Sequence, residues 1–243
     1  MDAIKVENFK KRFGAKIVHR DINLSVAQGQ CVGLIGGSGS GKSVILRSLI
    51  GLEKADEGRI MIEGEDITHY NERELIPLRK KVAYVFQGGA LFDSMSVEAN
   101  LAYPLIEHTS LSPRHIHEKI KKTLSNFGLQ GSEKIMPAAL SGGMQKRVGL
   151  ARAIIMEPKI ILYDEPTAGL DPFNTRKIQE KILELKKGGV TSILVTHDMP
   201  TAFAVCDRMI LIVDGHIVAE GTRTQLENQK GSIMEKFITG EAY

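Results

Sequence analysis

The sequence contains 243 residues, of which 42% are hydrophobic and 25% are charged, a composition typical of a globular protein with a substantial core. Its net charge of +3 is too small to indicate a nucleic-acid partner, and its two cysteines, Cys31 and Cys206, are too few for a disulfide framework. The sequence shows no secretory signal pattern, and no apolar run approaches the ~18 residues that span a bilayer. We therefore expect a protein of a reducing compartment, with any membrane role depending on another polypeptide.

Short apolar runs alternate with helix-length segments along the chain. Residues 4–9 and 21–26 predict an antiparallel strand pair. Four further runs predict buried strands, at residues 31–35, 82–86, 160–163 and 192–195. A closing hairpin is predicted from strands at 209–213 and 216–219. This order is typical of an α/β fold in which helices cover a mainly parallel sheet.

The helical segments fall between these strands. Residues 43–52 predict a helix directly after the first buried strand, and residues 96–130 have a largely helical pattern. Within that region Ser112, followed by a proline, predicts a helix start, because a capping residue precedes a proline at the first helical position. Residues 144–156 predict another helix, and residues 231–243 predict a short helix with a tail.

A glycine-rich segment between the strand at 31–35 and the next helix matches the pattern G-x-x-x-x-G-K-[ST]. The predicted nucleotide-binding residues here are Gly36, Gly37, Ser38, Gly39, Ser40, Gly41, Lys42, Ser43 and Val44. Glycines let the backbone wrap around phosphates, so that N–H groups and the helix N-terminus face the negative charge. Lys42 is predicted to reach the β- and γ-phosphates, and the Ser43 hydroxyl to bind Mg²⁺. The pattern predicts nucleotide binding but leaves the class of NTPase open.

Two adjacent acids end the apolar strand at 160–163. Asp164 is predicted to lie beside the metal ion, and Glu165 to orient or deprotonate the attacking water. Buried neighbouring carboxylates are costly without a cation, which argues against a purely structural role. The two acids therefore predict hydrolysis as well as binding.

A second candidate anion site lies at Ser141, Gly142 and Gly143, directly before the helix predicted at 144–156. Ser141 is a natural N-cap, and the two glycines leave the N–H groups of the helix start open to a ligand. One phosphate chain cannot fill two distant anion sites on one copy. We therefore predict a head-to-tail homodimer, in which Ser141 of the second copy closes on the γ-phosphate held by Lys42.

With these three motifs the sequence strongly resembles the ATPases of ABC transporters over nearly its whole length. The resemblance implies that Gln87 senses the metal ion and contacts a transmembrane partner, and that Asp171 lies in a dimer-contact loop. That loop has Ala168 where the family usually has serine. The resemblance also implies that His197 contacts the γ-phosphate and that Phe13 stacks on adenine.

The family resemblance implies an α/β P-loop NTPase of the ABC ATPase type, with ATP and Mg²⁺ as cofactors. It implies one domain, with a RecA-like core at residues 1–87 and 157–230 that includes an N-terminal antiparallel β subdomain. Residues 88–156 are then a helical subdomain with the Ser141 motif, and residues 231–243 a C-terminal tail.

A narrower resemblance lies in residues 87–97, which are similar to the corresponding stretch in ATPases of the Mla/Mce lipid-transport systems. It implies phospholipid transport between membranes, with maintenance of outer-membrane lipid asymmetry, at the cytoplasmic face of an inner membrane. The implied partners are integral permease subunits, an Mce-domain lipid-binding protein and a STAS-domain subunit. The apolar residues Ala90, Leu91, Phe92 and Met95 predict a docking groove for a partner's helix, although packing beneath the helical region explains them equally well.

Other readings stay open at this point. The ATPase could serve an importer or exporter of another substrate, because the core is common to many transporters. A soluble ABC ATPase acting on DNA or ribosomes is disfavoured, since the chain has one copy of each motif and no long coiled-coil insertion. A regulatory module without turnover is disfavoured by Glu165 and His197.

Overall fold

Two β-sheets organise the chain in the structure, a computed structural model that describes residues 1–227 and 233–239. The strands are β1 (Asp2–Phe13), β2 (Lys16–Ala27), β3 (Cys31–Ile35), β4 (Glu57–Ile62), β5 (Glu65–Asp66), β6 (Val82–Val85), β7 (Ile160–Asp164), β8 (Thr191–Val195), β9 (Arg208–Val213) and β10 (His216–Gly221). The helices are α1 (Lys42–Ser48), α2 (Glu72–Lys81), α3 (Val97–His108), α4 (Pro113–Asn126), α5 (Gly142–Ile154), α6 (Pro172–Lys187), α7 (Met199–Val205), α8 (Arg223–Glu227) and α9 (Ile233–Thr239). A short 3₁₀ helix covers Pro137–Ala139.

The larger sheet has the strand order β10-β9-β3-β8-β7-β6. The five strands from β9 to β6 pair in parallel, and β10 joins β9 in antiparallel. Every residue of β3, β7 and β8 is buried, because helices and the second sheet cover both faces. The structure therefore confirms the predicted α/β fold with a mainly parallel sheet and an antiparallel edge hairpin.

The smaller sheet is antiparallel, with the order β2-β1-β4-β5. Its first two strands run from Asp2–Phe13 and Lys16–Ala27, longer than the segments 4–9 and 21–26 that the sequence predicted. Register shifts interrupt the pairing of β1 and β2, so the apolar residues do not alternate regularly over the full strands.

Three elements between α1 and β6 were absent from the sequence prediction. Strands β4 and β5 complete the antiparallel sheet, and α2 lies between that sheet and β6. The signal for α2 was present, because Asn71 and Glu74 form a capping box in which each side chain accepts from the other residue's backbone. Alternation of buried Ile60 and Ile62 was the corresponding signal for β4.

The helices α3, α4 and α5 pack on one another and on β6, within a hydrophobic cluster that continues to α6. Ser112 caps α4 through a hydrogen bond from the His115 N–H, as predicted. Helix α5 begins at Gly142 and ends at Ile154, two residues earlier than predicted at each end, because the two glycines already have helical conformation. Helix α1 is shorter than predicted, since it ends at Ser48 ahead of the left-handed Gly51.

The predicted short helix near the C-terminus is α9, Ile233–Thr239, and buried Met234 packs with Ile35 and Leu211. The remaining part of the predicted tail, residues 231–232 and 240–243, lies outside the described residues. Among the helices that the structure describes, none has both the length and the apolarity needed to cross a bilayer.

Candidate functional site

Four of the predicted groups lie at the carboxyl ends of adjacent parallel strands. The glycine-rich loop follows β3, His197 follows β8, Glu165 follows β7 and Gln87 follows β6. Because β3, β8, β7 and β6 are consecutive neighbours in the sheet, their carboxyl ends meet at one edge. Ligands of open α/β sheets bind at this edge.

A cavity of about 620 Å³ opens at this edge of the sheet. It is lined by Phe13, Lys16, Val18, Gly36, Ser38, Gly39, Gly41, Lys42, Ser43, Val44, Gln87, Asp164, Glu165, Val195 and His197. The structure thus brings the predicted adenine, phosphate, metal and water-activating residues into one cavity. Its volume is within the range of small-molecule sites.

The conformation of the loop requires glycine at two positions. Gly36 has φ 150°, and a Cβ there would lie 2.4 Å from the Ile212 carbonyl oxygen. Gly41 has φ 89°, and a Cβ there would lie 2.5 Å from the His19 ring. Any side chain at either position would therefore push the loop away from the sheet.

Lys42 is the first residue of α1 and is buried. Its Nζ atom donates to the carbonyl oxygens of Gly36 and Gly37, each at 2.8 Å, and to the Ser40 hydroxyl at 3.2 Å. Burial lowers the pKa of Lys42, while Glu165 and Asp164 act in the opposite direction. The ammonium group is thus held inside the loop, where an anionic ligand would gain from a poorly hydrated cation.

Asp164 is held by hydrogen bonds at both carboxylate oxygens. The Ser43 hydroxyl donates to Oδ1 at 2.8 Å, and the Tyr84 hydroxyl donates to Oδ2 at 2.7 Å. Ser43 and Asp164 provide hard oxygen donors beside the loop, the donor type that Mg²⁺ prefers when phosphate oxygens and water complete its shell. Among the described residues no cluster of three His, Cys, Asp or Glu side chains forms a separate metal site. The donor set therefore fits a metal ion that binds together with a nucleotide.

Glu165 has a left-handed backbone conformation, with φ 50°, which is uncommon for a residue with a side chain. Its Oε1 atom is 2.9 Å from Nδ1 of His197. Its Oε2 atom is buried and has no hydrogen-bond partner within the described part of the chain. A buried carboxylate oxygen without a partner beside a phosphate loop is suited to bind and deprotonate a water molecule.

Comparison with known proteins agrees with this geometry. The ABC transporter family model matches residues 19–168. The chain is 39% identical over 239 residues to the probable ribonucleotide transport ATP-binding protein mkl of Mycobacterium leprae, covering 98% of this chain and 69% of that protein. It is 36% identical over 240 residues to the intermembrane phospholipid transport system ATP-binding protein MlaF of Haemophilus influenzae, covering 98% and 91%. It is also 40% identical over 240 residues to the Fe(3+) ions import ATP-binding protein FbpC of Escherichia coli O157:H7, covering 98% and 67%.

Solved structures similar to this chain are also ATP-binding subunits of ABC transporters or ATP-binding cassettes. A dimeric ATP-binding cassette in a post-hydrolysis state, bound to ADP and Pi, has a TM-score of 0.84 and 32% identity, covering 90% of this chain and 98% of that chain. CbiO1 of Clostridium perfringens, part of an ABC transporter complex, has a TM-score of 0.85 and 28% identity, covering 98% and 95%. The chain belongs to the ABC transporter ATPase family. As an ABC ATPase it binds and hydrolyses ATP.

Six predicted ligand residues of this ABC ATPase do not line the cavity: Gly37 and Ser40 of the glycine-rich loop itself, and Ser141, Gly142, Gly143 and Asp171. Ser141 is the N-cap of α5 and accepts from the Met144 N–H, and Asp171 is the N-cap of α6.

Asn174 connects the two helix starts. Asp171 accepts from the backbone N–H of Asn174 at 3.0 Å and from its side-chain amide at 2.5 Å. The Asn174 side chain also lies where a Cβ of Gly143 would be, at 2.7 Å. The Ser141 motif and the Asp171 loop therefore lie side by side, away from the cavity of their own copy.

Three residues of the cavity lining, Lys16, Val18 and Val195, were not predicted as site residues from the sequence. Two further residues, Tyr84 and His19, were also not predicted and contact site residues without lining the cavity. His19 is fully buried, and its Nε2 atom is 3.0 Å from the carbonyl oxygen of Gly41. Because a carbonyl only accepts, Nε2 carries the proton, and Nδ1 is left buried without a partner among the described residues. Burial lowers the pKa of His19. No sequence pattern singles out His19, since its contact with Gly41 arises only when β2 packs beneath the loop.

We expect the replacement His19→Leu to flatten the pH dependence of stability in mildly acidic solution. The folded state holds His19 neutral below the ordinary pKa of 6.5, whereas the unfolded chain binds the proton. The wild type should thus lose stability as the pH falls below 6.5, by at most about 1.4 kcal/mol per pH unit from this residue. Denaturant unfolding between pH 5 and 8 checks this. The same change at exposed His115 is the matched control, and an unchanged slope in His19→Leu would contradict the expectation.

Proposed function

We propose that this ABC ATPase acts as a homodimer that energises phospholipid transport between membranes through a separate, membrane-embedded permease. It is a peripheral subunit at the cytoplasmic face of the inner membrane. An Mce-domain lipid-binding protein and a STAS-domain subunit complete the proposed assembly, and no nucleic acid takes part.

The observation that carries the dimer is the separation of two anion sites on one chain. The cavity contains Lys42, Glu165 and His197, whereas Ser141 and Asp171 lie outside its lining. A second copy arranged head to tail would place its Ser141 helix start over the open face of this cavity. The positive end of α5 would then meet the γ-phosphate.

The proposed cycle follows from the residues of the cavity. Phe13, 45% exposed at the cavity, stacks on adenine, and Lys42 binds the phosphates. Glu165 takes a proton from the attacking water, and His197 holds the γ-phosphate. Ser43 and Asp164, near Gln87, would hold Mg²⁺, and the ion would neutralise charge on the phosphates. ATP binds the closed dimer more tightly than the open one, so binding closes the dimer and hydrolysis opens it.

An exposed apolar surface next to Gln87 supports docking to a permease. We call it the loop surface, formed by Ala90, Leu91, Phe92 and Met95. Phe92 is 42% exposed and packs edge-on against Tyr103 of α3 at 5.2 Å between ring centres. Leu91 is partly buried and packs against the helical region. The loop surface is therefore packed against the helical region on one side and exposed to solvent on the other.

The backbone of the loop surface is fixed by a buried amide. The side-chain nitrogen of Asn100 donates to the carbonyl oxygens of Phe92, Met95 and Ser96 at 3.0 to 3.1 Å. Its oxygen accepts from the Phe92 N–H at 2.9 Å and from Arg152 at 3.1 Å. A surface held in one conformation loses little entropy when it binds a helix, which favours a docking role.

Phospholipid as the substrate is supported by residues 87–97 and by MlaF of Haemophilus influenzae, which matches this chain at 36% identity over 91% of its own length. A second candidate is transport of a small solute. It is favoured by mkl and FbpC, which match at 39% and 40% identity and are described as transport ATPases for ribonucleotides and Fe(3+) ions. The substrate depends on the permease and its partners rather than on the ATPase cavity.

Purification of the native complex separates the two candidates. The chain is captured from detergent-solubilised membranes, and the co-purifying proteins and bound lipids are identified by mass spectrometry. A permease with an Mce-domain protein and enriched phospholipid is the expected result. A permease that co-purifies with a solute-binding protein instead would support solute transport. If no permease co-purified, the proposal that this ATPase works in a membrane complex would be contradicted.

We expect Phe92→Asp to abolish capture of the permease while leaving ATP hydrolysis by the isolated ATPase within about twofold of the wild type. The substitution removes the apolar ring from the docking surface and puts a carboxylate in its place, and taking that charge out of water costs free energy even beside Arg152, whose guanidinium lies 5.1 Å from the Phe92 ring centre. Ile17→Asp is the matched control, because Ile17 is 49% exposed on β2, the edge strand of the antiparallel sheet. Normal permease capture by Phe92→Asp would remove the loop surface from the docking role.

A further inference from the structure

The Tyr84 hydroxyl is the second hydrogen-bond donor to Asp164. It lies on β6, next to β7 in the sheet, and its oxygen is 2.7 Å from Asp164 Oδ2. The phenol ring is partly buried and packs against Phe86 with 4.3 Å between ring centres. The ring is therefore fixed from the side, with its hydroxyl aimed at the carboxylate.

Each of the two donors bonds a different oxygen of the Asp164 carboxylate. The Ser43 hydroxyl occupies Oδ1 at 2.8 Å and the Tyr84 hydroxyl occupies Oδ2. A carboxylate held at one oxygen can rotate about its Cβ–Cγ bond, but one held at both oxygens has a single orientation. Outer hydrogen bonds of this kind orient metal-binding carboxylates.

We propose that Tyr84 is a positioning residue that fixes the Asp164 carboxylate with Oδ1 toward Ser43, in the orientation needed to bind Mg²⁺ with ATP. This inference depends on the proposed metal site. Tyr84 does not line the cavity, so we expect it to act through Asp164 rather than by touching the nucleotide.

The Tyr84 hydroxyl is a neutral phenol that can donate its proton, and the Asp164 carboxylate accepts it.

The test measures how much Mg²⁺ strengthens ATP binding, rather than turnover. ATP affinity is determined by displacement of a fluorescent nucleotide, once in EDTA and once with Mg²⁺, for the wild type and Tyr84→Phe. We expect Tyr84→Phe to reduce the Mg²⁺-dependent gain about tenfold. The affinity in EDTA should be unchanged, because Lys42 and the loop are not altered.

Tyr70→Phe is the matched control, because the Tyr70 hydroxyl also bonds a carboxylate, that of Glu65, but outside the cavity. It should keep the full gain. The Tyr84 effect should also vanish in an Asp164→Asn background, where the positioned group is gone.

Three results would overturn the inference. They are an unchanged Mg²⁺ gain in Tyr84→Phe, an equal loss of affinity with and without Mg²⁺, and a Tyr84 effect that persists in Asp164→Asn. A failure of the metal site itself is recognised separately, since the wild type would then show no gain from Mg²⁺.

Discussion

Replacing Glu165 by glutamine should lower steady-state ATP turnover by about 10²–10⁴-fold while preserving ATP binding. The amide has the size of the carboxylate, so the side chain keeps its place beside His197, whose Nδ1 atom is 2.9 Å from Oε1 in the wild type. What is lost is a group that accepts a proton at the buried, unpartnered Oε2 position. Phosphate release measures turnover, and nucleotide titration measures binding.

The same variant should accumulate as a closed, ATP-bound dimer, because hydrolysis no longer removes the γ-phosphate that is proposed to bridge the copies. Size-exclusion chromatography with ATP and Mg²⁺ detects this species. Glu180→Gln, a change of the same kind at an exposed position of α6, is the control and should hydrolyse ATP normally. Turnover of Glu165→Gln near the wild-type rate would assign the base to another group.

The second large effect on ATP turnover concerns the proposed shared site, in which Lys42 of one copy and Ser141 of the other bind the same ATP. Lys42→Ala removes the cation that is proposed to contact the phosphates, and Ser141→Arg blocks the helix start that is proposed to close on the other copy's nucleotide. Each variant alone should lose about 10²–10³-fold of turnover, the usual cost of removing one preorganised donor to a transferring group. Ser112→Arg controls for loss of a serine N-cap, because Ser112 caps α4 in the same way as Ser141 caps α5.

Mixing the two defective variants gives a sharper result than either alone. In a head-to-tail dimer of one Lys42→Ala copy and one Ser141→Arg copy, both defects fall in one site. The other site combines the intact Lys42 of one copy with the intact Ser141 of its partner. We expect these mixed dimers to retain ATP, at one nucleotide per two chains, whereas neither variant alone retains it.

A site built within one chain would behave differently. Mixing would then restore nothing, because each copy would carry its own defect in its own site. Retention of ATP by Ser141→Arg alone would also contradict the shared site. The experiment uses retained radiolabelled ATP after rapid gel filtration, which does not require both sites of a dimer to be active.

Local sequence patterns predicted most of the functional residues of the cavity. The residues Lys42, Ser43, Asp164 and Glu165 belong to contiguous motifs, in which the strand, the turn and the ligand group follow one another along the chain. His197 was found by its resemblance to a family motif after a buried strand. In each case the motif fixes the local backbone, and the parallel sheet brings the strand ends together.

Contacts between distant segments were not predicted. Tyr84 meets Asp164 across 80 positions, and His19 meets Gly41 across 22. Each is an unremarkable strand residue in the sequence, because nothing in its neighbours indicates what lies opposite in the folded protein. Strand β4 was not predicted for the same reason. Its pairing with the distant strand β1 depends on Gly58 at φ 93° and on a shift in register.

The sequence by itself determined the fold class, the phosphate loop, the paired acids and the N-cap at Ser141, since each depends on residues close together along the chain. Only the tertiary structure decided that Asp164 is held at both oxygens, that a buried histidine supports the loop, and that the Ser141 motif does not line the cavity of its own copy. The physical reason is that side-chain orientation and burial depend on pairing register and packing between segments far apart in sequence, which no local pattern records.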